Sequence, residues 1–136
     1  MSRNPGRPLS PHLTIWRWGP AMAVSILHRA TGAGMAVVAG LAFIWWLTAA
    51  AMGPEAYDTF LWAATSWLGY VVAVGLTWAF FQHVCNGLRH FVMDMGAGYE
   101  LKANKTGAWV AMLLPLLLTF VVWAPILLKL LQGEAE

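Results

Sequence analysis

Two histidines, an arginine and an aspartate stand close together in the stretch Phe80-Phe81-Gln82-His83-Val84-Cys85-Asn86-Gly87-Leu88-Arg89-His90-Phe91-Val92-Met93-Asp94. They close a long apolar run, where polar groups are costly and call for a function. His83 and His90 are seven residues apart, so on a helix they return to nearly the same angle, roughly 10 Å apart along the axis. Gly87, one turn after His83, removes a side chain from almost that same face. The face therefore offers an imidazole, a flat gap, and a second imidazole beside Arg89. A haem lying along the helix fits this pattern, with iron at the deeper His83 and the acidic propionates at the shallower His90 and Arg89. A plainer reading also fits, in which an intramembrane histidine only hydrogen-bonds a neighbouring helix.

The elements that carry these residues must lie in a bilayer. The chain of 136 residues is 60% hydrophobic and only 10% charged, with a mean hydropathy of +0.62. A soluble domain carries about 25% charged residues. The net charge of +2 and pI near 9.0 do not point to nucleic acid, because the basic residues cluster outside the apolar runs. The single cysteine, Cys85, excludes an internal disulfide or a multi-cysteine iron–sulfur site within the chain. Residues 1–20 lack the apolar core of about 7–15 residues that a cleavable signal needs, so the chain is expected to stay whole.

Apolar runs predict an all-α integral membrane protein with three transmembrane helices, at about 21–51, 60–94 and 106–131, in a single membrane-anchor domain spanning 1–136. Residues 1–20 form an N-terminal arm punctuated by Pro5, Pro8, Pro11 and Pro20, with Trp16 and Trp18 suited to the headgroup layer. The first run exceeds the roughly 20 residues that cross a bilayer core, so its first turns, with Ser25, His28 and Arg29, lie in the interface. Gly32, Gly34, Ala36, Ala39 and Gly40 then allow close helix contacts. Residues 52–58 read as a short acidic loop. The second helix is expected from about Phe60 to the region of Asp94, either tilted or with its first turns as a separate interfacial piece. Residues 94–105 read as a second loop, and Pro115 and Pro125 are expected to bend the third helix.

Orientation follows from lysine and arginine. One side holds Arg3, Arg7, Arg17, Arg29, Arg89, Lys102 and Lys105, and the other only Lys129. Seven against one puts the N-terminus and the second loop in the cytoplasm, or in the matrix of an organelle. His83 then lies about 15 Å inside the bilayer from the end of its helix. His90 and Arg89 sit at the cytoplasmic interface, level with Ser25, His28 and Arg29. Asp94, four residues after His90, can pair with it on one face. Two helices thus bring a serine, two histidines, two arginines and a carboxylate to one level.

The segments Arg7-Pro8-Leu9-Ser10-Pro11-His12-Leu13, Ser25-Ile26-Leu27-His28-Arg29-Ala30-Thr31-Gly32 and His83-Val84-Cys85-Asn86-Gly87-Leu88-Arg89-His90 with Asp94 resemble the cytochrome b membrane-anchor subunits of succinate dehydrogenase, respiratory complex II. The likeness covers nearly the whole chain, in the family's order and spacing. It implies one haem b shared with a sister membrane subunit, each subunit giving one axial histidine; here that ligand is expected to be His83. It implies ubiquinone as substrate at Ser25 and Arg29, and His28 and His90 near the haem propionates, joined by Arg89 from the spacing argument above. It also implies a second membrane-anchor subunit, an iron–sulfur subunit and a flavoprotein subunit as partners. The bacterial cytoplasmic membrane, crossed several times with the N-terminus inside, is expected in preference to the mitochondrial inner membrane. The chain has no flavin or dinucleotide fingerprint, so any dehydrogenase active centre belongs to a partner. Two other readings keep the same spans: a fumarate reductase-type anchor, and a haemless structural or transport subunit.

Overall fold

The computed structural model describes Gly6 and residues 17–132. The expectations for Arg3, Arg7, Trp16, the Arg7–Leu13 motif and the last four residues fall outside them. Among the described residues every regular element is helical: α1 (Pro20–Gly34), a π-helical segment (Met35–Ala39), α2 (Gly40–Met52), α3 (Pro54–Ala64), α4 (Trp67–Asp94) and α5 (Leu101–Gln132). Three stretches are long and apolar enough to cross a membrane: Pro20–Met52, Trp67–Asp94 and Leu101–Gln132.

The first span begins at Pro20, whose missing N–H costs nothing in an opening turn. It matches the expected 21–51, but between Gly34 and Gly40 the backbone widens into the π segment. The stretch expected to be an acidic loop is largely helical. Gly53, at φ 110°, reverses the chain, and Pro54 and Glu55 open α3 directly behind it. Glu55 in that first turn sits at the positive end of the helix dipole.

Of the two alternatives for 60–94, the structure has the one in which the first turns are a separate piece, so the run holds two helices. The break falls at Thr65–Ser66. The Ser66 hydroxyl oxygen accepts from the Gly69 amide at 3.1 Å and donates to the Ala63 carbonyl at 2.6 Å, so one side chain caps α4 and ties it to the end of α3. A β-carbon on Gly69 would collide with the carbonyl oxygens of Ala63 and Ala64. The corner therefore depends on glycine. The second loop is also shorter than expected, because Gly96 and Gly98 take positive φ and α5 starts at Leu101 rather than near residue 106. Helix α5 runs through both Pro115 and Pro125, and the Thr119 hydroxyl donates to the Pro115 carbonyl at 2.7 Å.

Packing inverts the pattern of a water-soluble bundle. Helix α4 lies against both α5 and α1. The apolar residues buried between the helices are small: Val24, Ala79, Ala108 and Ala111. Beside them lie the buried polar residues Thr31, Gln82, Asn86 and Thr119. The large side chains, among them Leu41, Phe43, Trp62, Trp67, Phe120 and Leu131, point outward. Small residues let helices approach closely, polar groups pair between helices, and lipid solvates the outer apolar surface. Side-chain bonds between helices include Trp123 Nε1 donating to Thr77 Oγ1 at 3.1 Å and Asn86 Nδ2 donating to the Val24 carbonyl at 3.1 Å.

Candidate functional site

Three histidines from two helices form one stack. The rings of His28 (α1) and His83 (α4) lie face to face, with centroids 3.9 Å apart and planes within 11°. His90, two turns along α4, tilts toward His28 with centroids 5.4 Å apart. The close approach rests on Gly32, while a β-carbon at Gly87 would meet only ordinary contact. A β-carbon at Gly32 would stand 3.0 Å from His83 Cε1, and one at Gly87 would stand 4.0 Å from His28 Cε1. The flat gap foreseen at Gly87 is thus filled by the His28 ring. Among the described residues no three His, Cys, Asp or Glu side chains converge as a metal-chelating set. The imidazoles are stacked, each with its own environment.

His83 is held through Nδ1, which lies 3.2 Å from the backbone carbonyl of His28 and 3.5 Å from Thr31 Oγ1. A carbonyl only accepts, so Nδ1 carries the proton and the lone pair of the neutral ring is on Nε2. Nε2 makes no hydrogen bond and is not sealed inside the bundle. An imidazole anchored to a carbonyl through one nitrogen, with the other free, is the arrangement of a metal-ligating histidine. The residues present therefore fit a haem iron at His83. His28 adds a second sign of an outside partner, since its Nδ1 is buried without one.

The remaining expected residues divide. Ser25 and Arg29 share an exposed face of α1 and have no hydrogen-bond or ion-pair partner among the described residues. They flank His28 in sequence and stand at the same end of the bundle as the histidine stack. Arg89 does not join that stack. Its guanidinium turns to α5, where Nη2 donates to Asn104 Oδ1 at 3.0 Å and the stem passes close to Gly107. Asn104 in turn donates to the Met93 sulfur at 3.7 Å. Asp94 ends α4, is exposed, and makes no ion pair with His90.

Sequence reasoning gave no role to Thr31, Gln82, Asn86 or Asn104. Thr31 and Asn86 lie three residues after His28 and His83, spacings that put them on neighbouring faces. Which neighbour each would meet depended on the helix pairing. Gln82 is fully buried, and its amide nitrogen and oxygen have no partner.

The chain is similar to known proteins over nearly its full length. The family model described as succinate dehydrogenase/fumarate reductase transmembrane subunit matches residues 3–134. The succinate dehydrogenase cytochrome b556 subunit of Paracoccus denitrificans is 42% identical over 123 residues, covering 85% of this chain and 93% of the relative. The protein of the same name from Rickettsia prowazekii is 34% identical over 118 residues, covering 86% and 90%. The mitochondrial succinate dehydrogenase cytochrome b560 subunit of Sus scrofa is 34% identical over 116 residues, covering 82% of this chain and 66% of the relative.

Proposed function

The chain belongs to the succinate dehydrogenase/fumarate reductase transmembrane subunit family, and on that premise we propose that it is the haem b-bearing membrane anchor of a bacterial succinate:quinone oxidoreductase. The observation that carries this reading is His83: one ring nitrogen is committed to the His28 carbonyl, and the other has no hydrogen-bond partner and is not sealed from its surroundings. Bound there, haem b would supply a one-electron redox centre within the membrane. The other protein ligand to the iron would come from a sister membrane subunit, because among the described residues no other histidine has one ring nitrogen anchored to a carbonyl and the other free. His28 and His90 would hold the propionates; the His28 ring lies against His83, and His90 tilts toward His28 from two turns along α4. Charged oxygens near a low-dielectric boundary need such charge-assisted donors. Arg89, engaged with Asn104, braces α5 and takes no part in that contact.

Ubiquinone is reduced at Ser25 and Arg29. They are one helical turn apart, share the exposed face of α1 and have no partner among the described residues. The Ser25 hydroxyl donates to a quinone carbonyl oxygen. The fixed charge of Arg29 stabilises the negative charge that builds on the quinone as electrons arrive, so it acts on charge developing during reaction. Succinate is oxidised in the flavoprotein partner, and electrons reach this subunit through an iron–sulfur partner docked on the cytoplasmic face, where the N-terminus lies. The lysine and arginine asymmetry supports that orientation.

Kinetics of the assembled complex test the quinone site. In Ser25→Ala and Arg29→Leu, succinate-dependent quinone reduction falls at least tenfold and quinone-site inhibitors lose potency, while succinate oxidation with a soluble dye acceptor stays at the wild-type rate. Normal quinone reduction and inhibitor sensitivity in both assembled variants would remove the site from these residues.

A further inference from the structure

We propose that Thr31 and Gly32 are positioning residues for His83, forming a seat on α1 that sets both the plane of its ring and the electron-donating strength of its free nitrogen. The inference rests on His83 being the haem ligand.

Two contacts define the seat. At Gly32 the imidazole lies on bare helix backbone: a β-carbon would stand 3.0 Å from Cε1 and 3.4 Å from Nδ1, tighter than a rigid ring accepts without tilting. At Thr31, which is buried, the hydroxyl lies 2.7 Å from the Leu27 carbonyl and 3.1 Å from that of His28. The shorter contact takes the hydroxyl proton, which leaves an oxygen lone pair turned to His83 Nδ1 at 3.5 Å. The Nδ1 proton therefore faces two oxygens, the His28 carbonyl at 3.2 Å and Thr31 Oγ1. Negative dipoles against Nδ1–H make the opposite nitrogen a stronger donor, which favours the oxidised form of a metal bound to it. A threonine in a membrane helix commonly bonds back to the preceding turn and does nothing else. Here the same hydroxyl also lies 3.5 Å from Nδ1 of His83, whose far nitrogen is free.

The two parts of the seat can be separated in the assembled, purified complex by redox titration and low-temperature electron paramagnetic resonance of the b haem. Thr31→Val keeps the shape and the His28 carbonyl but removes the hydroxyl oxygen. The expected result is full haem content, a retained low-spin signal and a midpoint potential shifted positive, with Thr31→Ser returning it toward wild type. Gly32→Ala forces the ring to tilt, and the expected result is a low-spin signal with changed g values or a reduced haem-to-protein ratio. A wild-type potential in Thr31→Val overturns the proposal, as does a wild-type signal and haem content in an assembled Gly32→Ala complex. If Gly32→Ala does not assemble, the Thr31→Val and Thr31→Ser pair decides. His83→Ala serves as the reference. If it keeps the wild-type spectrum, the ligand reading itself fails; if it loses the low-spin signal while the seat variants match wild type, only the seat fails.

Discussion

His28 and Arg89 show how much of the site depends on which helix a side chain meets. Both were expected at the cytoplasmic level near His90, and only His28 joins the stack, while Arg89 is bonded to Asn104. The two make opposite predictions. His28→Leu removes the ring stacked on His83, and the haem-to-protein ratio or the haem midpoint potential of the purified complex should change while low-spin coordination persists. Wild-type values of both would place His28 outside the haem site. Arg89→Leu leaves Asn104 without its charged donor, and a hydrogen bond to a charged group contributes about 1.5–3 kcal/mol. The thermal midpoint of the complex should therefore fall, with haem content and potential unchanged. A shifted potential without a stability loss would return Arg89 to the haem. The residue types and the 3.6-residue period were enough to single these groups out. They could not say that Gly107 opens a path for the arginine toward α5, because that depends on a contact across 18 residues of sequence.

The spans were legible as apolar runs, since a bilayer demands long uninterrupted helices. Their joints were only partly so: a separate first piece in the 60–94 run was one of two alternatives, without a position for the corner. Thr65-Ser66 contains neither proline nor glycine, and apolar residues continue on both sides, so nothing in the hydropathy marks the corner between α3 and α4. The signal was local: a serine able to cap, with a glycine three residues on. Ser66→Ala should cost about 1 kcal/mol through the lost cap. Gly69→Ala should cost about 1–3 kcal/mol through overpacking against the α3 carbonyls, read as a lower midpoint of thermal unfolding in detergent. If Gly69→Ala unfolds at the wild-type temperature, the corner is not as close as the structure gives it. The buried stripe of α4 makes a further prediction. Gln82 is enclosed with both amide atoms unpartnered, and leaving such a group unsatisfied costs about 1–3 kcal/mol. Gln82→Leu should accordingly leave the complex as stable as wild type or more so. A clear loss of stability would show that the amide is bonded in the assembled complex.

On the scale of the whole molecule, the outer surface says that the chain works in company. Its buried core is a few small residues, and its large apolar side chains face outward along all three spans. A bilayer solvates that surface, and a sister subunit can cover part of it. On the proposed reading, the one anchored histidine with a free far nitrogen would supply one of the two protein ligands to the iron. The chain should therefore copurify with a second small membrane subunit, and a preparation lacking that subunit should hold less haem. The central claim, that His83 ligates a b-type haem in this subunit, is tested most directly by the reduced-minus-oxidised absorbance spectrum of the purified complex carrying His83→Ala. The account predicts that the low-spin b-type α-band of the wild type disappears or gives way to a high-spin spectrum while the membrane subunits still assemble. An assembled complex with the wild-type α-band would contradict it.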